Sequence, residues 1–149
     1  MNSRVDDAVK LFMDGYNCAQ AVFATYADLF DIDRDTALKM TSGMGAGIGR
    51  MREVCGTVSA MSLIAGLKNG NDDPDNQQAK TRIYELVRVM ADKFKEKHST
   101  IICRDLLKGI ATDNSAAPSI RNAEYYKVRP CARFVADAAT IIEETLFNN

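Results

Sequence analysis

Apolar side chains recur at helical spacing along most of the chain. Val5, Ala8, Val9 and Phe12 fall on one stripe, the i, i+3, i+4, i+7 pattern of an amphipathic helix, and Asp14-Gly15 stops it. Asn17 is a good N-cap for a second helix, Cys18 to Phe30, whose polar interruptions before Asp28 are Gln20 and Thr25. It should be largely buried, and Cys18 in its first turn shares a face with Ala21, Val22 and Thr25. Asp33 or Asp35 can cap a short helix through Ala37, Leu38 and Met40, which Ser42-Gly43 ends.

Four glycines at alternate positions, Gly43, Gly45, Gly47 and Gly49, lead through Arg50, Arg52 and Glu53 to the uncharged run Val54 to Leu67. That run predicts a central helix over 54–67, closed by Gly66 to Gly70. Val54, Val58, Met61 and Ala65 form its apolar stripe, and Cys55, Ser59, Ser62 and Gly66 an adjoining stripe of small residues. Ile83, Leu86, Val87, Met90, Ala91 and Phe94 mark a long surface helix over 75–97. Ser99 or Thr100 can cap the next, in which Cys103 shares a face with Leu106, Leu107 and Ile110. Residues 111–121 suggest an irregular loop, long enough to be a lid or simply a mobile connection. Pro130 suits the first position of a last helix, whose face carries Cys131, Phe134, Val135, Ala138 and Ile142. No stretch alternates with period two, so the expected fold is an all-α, compact bundle of about six or seven helices. One domain over 1–149 accommodates it.

At 149 residues the chain can bury a sizeable core. Its net charge of -1 offers no electrostatic footprint for nucleic acid or an anionic membrane. The run Val54 to Leu67 is shorter than the ~20 apolar residues that span a bilayer. The N-terminus has Asp6 and Asp7 and no apolar signal region, which points to the cytoplasm.

Composition matters most through the four cysteines, Cys18, Cys55, Cys103 and Cys131. No close pair exists among them, so zinc ribbons and thioredoxin-type motifs are unsupported. In a reducing compartment the thiols are expected to be free, metal-bound or redox-active. Each falls at or near a predicted helix N-terminus, where unpaired N–H groups favour thiolate. Arg50 and Arg52, Arg104, and Arg129 and Arg133 stand beside three of them and could offset negative charge. Four thiolates meeting in one pocket would suit an iron–sulfur cluster or a zinc ion, and pairs could instead cycle between dithiol and disulfide. Against this stands the habit of free cysteine to pack as a small buried hydrophobe.

Other candidates are weaker. The turn GMGAGIG lacks the preceding strand and the Gly-Lys-Ser/Thr of a phosphate loop. Gly45, Gly47 and Gly56 are better read as backbone contacts of a cofactor held near Cys55, with Met44 and Met51 flanking the turn as further lining. His98, the sole histidine, reads as an exposed capping side chain. Asp72, Asp73 and Asp75 lack the Gly and Glu of a calcium loop.

Asn17-Cys18-Ala19-Gln20-Ala21, the glycine turn into Val54-Cys55-Gly56, Gly66-Leu67 with Gly70, Cys103 with Asp105-Leu106-Leu107, and Cys131 together resemble the C_GCAxxG_C_C family of small bacterial and archaeal proteins. The central motif differs here at Thr57 and Ala60, both small residues that preserve close packing. The resemblance covers nearly the whole chain. It implies an all-helical domain whose four cysteines gather at one redox or metal site, with iron–sulfur binding in related domains.

The leading expectation is therefore a metal or iron–sulfur site on Cys18, Cys55, Cys103 and Cys131, used for electron transfer or redox sensing with an unidentified redox partner protein. A metal-free thiol–disulfide carrier is the alternative. A non-catalytic interaction protein is the third reading, a homodimer through the small-residue face of Cys55.

Overall fold

The computed structural model describes residues 1–148. Among them the chain forms eight α-helices: α1 (Val5–Met13), α2 (Cys18–Ala27), α3 (Arg34–Thr41), α4 (Gly56–Asn69), α5 (Gln77–His98), α6 (Cys103–Leu106), α7 (Ala123–Val128) and α8 (Cys131–Leu146). A 3₁₀ turn, Asp28–Phe30, extends α2. The only pairing of extended segments among the described residues is an isolated antiparallel bridge between Val54 and Ile102. The all-helical expectation holds.

Local chemistry sets the starts. Asn17 closes a reciprocal cap on α2: its side chain accepts from the Gln20 N–H at 2.8 Å, and the Gln20 side chain accepts from the Asn17 N–H at 2.9 Å. These satisfy two donors that the first turn leaves orphaned. Asp33, Asn76 and Asn122 cap α3, α5 and α7 in the simpler way. The central helix begins at Gly56 rather than 54, because Cys55 has extended backbone and serves as its N-cap. The helix α7 exceeds the expected number, since a six-residue segment is too short to display a period.

Packing centres on α2 and α4, which α8 covers together with α1 and α5. Where α2 meets α4 the chains carry little side chain: Ala19, Ala21, Thr57 and Ala60 are fully buried. The small residues buried here are thus Gly56, Thr57 and Ala60; of the predicted stripe Cys55, Ser59, Ser62 and Gly66, Cys55 is buried and the other three stay partly exposed. Helix α8 contributes Phe134, Val135, Ala138, Ile141, Ile142 and Leu146 to the core, each large aliphatic or aromatic side chain worth about 1.5–3 kcal/mol of burial.

Two polar groups are buried with these. The Tyr26 hydroxyl donates to Glu143 Oε2 at 2.5 Å, and the same oxygen accepts from the Arg4 N–H at 2.9 Å. Burial and the neighbouring carboxylate hold Tyr26 firmly protonated. His98 differs from expectation. Its side chain is only 9% exposed, bonds Asp137 at 2.8 Å and lies against Phe94 and Phe134. It fastens the end of α5 to α8, because a lone imidazole near two rings gains more from packing than from capping.

Candidate functional site: four cysteines around one cavity

The glycine turn prepares the site. Ala46, Gly47, Ile48, Gly49 and Arg50 all have left-handed backbone, with φ between 52° and 74°, and Arg52 follows at 63°. For a residue with a Cβ this costs about 1–2 kcal/mol, and it persists only where surrounding bonds over-determine it. Those bonds are Gly49 N–H to Gly43 O at 2.8 Å, Arg52 N–H to Ala46 O at 3.1 Å and Glu53 N–H to Gly47 O at 2.9 Å. Gly47 is required for a further reason: a Cβ there would lie 2.5 Å from the Glu53 nitrogen. The alternating glycines signalled the turn, but left-handed Ala46, Ile48, Arg50 and Arg52 carried no such signal.

Beyond the turn, the chain is laced to the start of α6. Cys55 N–H donates to Ile101 O at 2.8 Å, Cys103 N–H to Glu53 O at 2.6 Å and Arg104 N–H to Arg52 O at 3.1 Å. This lacing sets Cys55 opposite Ile101 and Cys103 opposite Glu53. Cys18 opens α2, Cys103 opens α6 and Cys131 opens α8, while Cys55 precedes α4. All four line one cavity of about 310 Å³.

The cysteines are not equivalent. Cys18 and Cys55 are hydrogen-bonded to each other, and the Cys18 sulfur also accepts from the backbone N–H groups of Ala46, Ala19 and Gly56. The bond from the Cys55 thiol contributes most; with the N–H groups it outweighs burial and brings Cys18 down to about 6. Cys55 moves the opposite way, held well above its ordinary value by donating to Cys18 and by burial. Its sulfur also bonds the Thr57 hydroxyl at 3.1 Å. Burial raises Cys103, against the pull of Arg52, whose Nη1 lies 3.9 Å from its sulfur. Burial and the Cys18 charge push Cys131 up to about 12. These influences favour the thiolate at Cys18 and the thiol at Cys55, Cys103 and Cys131.

Gly56 explains how two helix starts reach one sulfur. A Cβ on it would lie 2.8 Å from Cys18 Sγ and 2.9 Å from Met44 O, so only a bare backbone fits. Gly45 and Gly47 also line the cavity. Gly45 faces the Asn17 side chain, and a Cβ on it would meet that side chain at 2.6 Å. Met44 and Met51 do not line the cavity, and Met51 is 62% exposed. The expected arginines divide: Arg50, Arg52 and Arg129 line it, whereas Arg104 pairs with Glu53 and Arg133 is exposed. Arg121, which no motif distinguished, also lines it.

Segment 111–121 crosses the cavity and is pinned at two places. Arg50 donates to Ser115 O at 2.9 Å, Ser119 Oγ at 3.2 Å and Asp113 Oδ1 at 3.2 Å. Arg121 donates to Phe12 O at 2.6 Å and Tyr16 O at 2.9 Å. Ala116, Pro118 and Ser119 form part of the cavity wall.

Among the described residues no three Cys, His, Asp or Glu side chains are gathered closely enough to hold a metal ion. No described helix is long and apolar enough to cross a membrane.

The chain is thus an all-helical domain with four cysteines at or beside four helix starts around one cavity. The chain belongs to the C_GCAxxG_C_C family, described as "Putative redox-active protein (C_GCAxxG_C_C)", whose model matches residues 16–145. No curated protein and no solved structure gave a significant match.

Proposed function

We propose that the protein carries out thiol–disulfide redox chemistry with Cys18 as nucleophile and Cys55 as its resolving partner. The observation that supports this is the Cys18 sulfur set between the Cys55 thiol and the N–H groups of Ala19, Ala46 and Gly56. At about 6, Cys18 is roughly nine-tenths thiolate at neutral pH, and thiolate is the attacking species. Cys18 displaces one sulfur of a redox partner's disulfide R–S–S–R, forming a Cys18–S–S–R bond and releasing RS⁻. The Cys55 thiol then gives up its proton and attacks the Cys18 sulfur. A Cys18–Cys55 disulfide forms, and the second RS leaves as RSH with that proton. The pair loses two electrons and the partner gains two.

Mass mapping after mild oxidation should find a Cys18–Cys55 disulfide, and the rate of Cys18 alkylation should rise through pH 6. A different pairing, or a Cys18 that titrates near its ordinary value of 9.0, would sink the reading.

A second reading draws on all four cysteines lining one cavity. Four cysteine thiolates are the usual donor set of an iron–sulfur cluster, and Cys18, Cys55, Cys103 and Cys131 would hold it. Such a cluster supplies one-electron transfer. Purification without oxygen, followed by visible absorption with iron and sulfide analysis, separates the readings: a colourless, iron-free protein with four reactive thiols leaves the dithiol chemistry.

A further inference from the structure

Segment 111–121 is tied to both pieces of chain that hold Cys18. Its middle is fastened to the glycine turn, where the Arg50 side chain donates to Asp113 Oδ1, Ser115 O and Ser119 Oγ. That same turn supplies the Ala46 N–H that the Cys18 sulfur accepts. Its far end is fastened to the approach to α2: Arg121 donates to Phe12 O and Tyr16 O, and Tyr16 precedes Cys18 by two residues. Between these ties Ala116, Pro118 and Ser119 wall the cavity that Cys18 lines. The segment is a strap drawn from one support of the sulfur to the other.

The two ties differ in kind. Arg121 bonds main-chain carbonyls and stacks over Phe12, its guanidinium carbon 4.3 Å from the ring centre, with the Tyr125 ring at 5.5 Å. Such an anchor moves only with the backbone beneath it. Arg50 instead holds the strap by an ion pair to Asp113, whose side chain is 69% exposed, and by a hydroxyl and a carbonyl of a segment in which none of residues 111–121 is buried. Water can replace each of these bonds, and exposed pairs of this kind contribute little net stability. On the N-terminal side Gly109 is left-handed at φ 86° with nothing within 4 Å of where a Cβ would stand, a joint with room to turn. Release of Arg50 therefore frees the strap between Gly109 and Arg121 while every core residue stays in place.

We propose that the strap gates Cys18: small reagents enter the closed cavity of about 310 Å³, whereas a disulfide on the surface of another protein reaches the sulfur only after Arg50 lets the strap go. Resting on the exchange chemistry proposed above, the gate makes release of Arg50 the step that admits the partner.

The reduced full chain is alkylated with iodoacetamide and, separately, with a maleimide bearing a long polyethylene glycol chain, and the rate at Cys18 is read by peptide mass mapping. Both reagents take the thiolate, so the ratio of the bulky rate to the small one cancels a change in ionisation and reports access. Arg50→Ala removes all three bonds and should raise that ratio about tenfold or more. Asp113→Ala combined with Ser119→Ala removes two of them from the strap side, leaves the turn intact, and should raise it by less. An unchanged ratio in Arg50→Ala overturns the gate, as does equal acceleration of both reagents. Should Arg50→Ala lose its helical circular dichroism, the double variant decides by the same criterion. The ratio requires no disulfide to form, so failure of the gate and failure of the Cys18–Cys55 exchange are distinguishable.

Discussion

At Cys18 the same sulfur atom is attacked by two opposing influences, and their balance decides its ionisation. Burial favours the thiol, while one S–H and three N–H donors favour the thiolate, and the donors win. The consequence for stability has a definite sign. Between pH 6 and 9.0 the unfolded chain keeps a proton on Cys18 that the folded one has released, so stability rises with pH there, by at most about 1.4 kcal/mol per unit. It is lost as pH falls through 6. Above 9.0 the sign reverses, because Cys55, Cys103 and Cys131 stay protonated in the fold when unfolded thiols ionise. Urea unfolding at several pH values should show this maximum, and Cys18→Ser should flatten the rising limb. Gly56→Ala is a second check at this scale. With its Cβ 2.8 Å from Cys18 Sγ, it should push the sulfur off the Gly56 N–H and move the alkylation midpoint of Cys18 upward by about one unit or more.

At the scale of elements, the left-handed turn 46–50 is the costly piece. Ile48 is a β-branched residue at φ 63° and 45% exposed, so it gains little packing for its strain. Ile48→Gly should stabilise the protein by about 0.5–1 kcal/mol, strain relief exceeding the added chain entropy, as read from the urea midpoint. Gly47→Ala has the opposite expectation. Its Cβ would strike the Glu53 backbone nitrogen at 2.5 Å, breaking the register that carries Cys55 to Ile101 and Cys103 to Glu53. Loss of about 2 kcal/mol or more, with altered reactivity of Cys103 as well as Cys18, is expected. A mutation that destabilised the turn without touching the thiols would show the two to be uncoupled.

On the scale of the whole molecule, the core helices and the cavity cover are stabilised differently. Helices α2, α4 and α8 interlock through fully buried side chains, whereas segment 111–121 is held chiefly by Arg50 and Arg121. Opening of the cover should therefore cost far less than unfolding of the core. Arg50→Ala removes three hydrogen bonds to Asp113, Ser115 and Ser119. Proteolytic cleavage within 111–121 should accelerate about tenfold or more, while the unfolding midpoint moves little. Equal cleavage rates would mean that Arg121 alone fastens the cover.

The sequence by itself determined that the chain is helical, where most helices begin, and that every cysteine falls at a helix start. Those are consequences of local periodicity and caps, legible at Val5 to Phe12, at Asn17 and at Ile83 to Phe94. The four-cysteine pattern was also legible as a family resemblance. Tertiary structure alone decided how the thiols differ, because the proton preference of Cys18 depends on N–H groups from Ala46 and Gly56, distant in sequence from it. It also moved the close-packed face of α4 to Gly56, Thr57 and Ala60, turned His98 inward against Asp137, and left two donors of Arg52 without an acceptor among the described residues. No periodicity encodes such things. They arise where several helix ends meet, and burial there sets the worth of each charge and hydrogen bond.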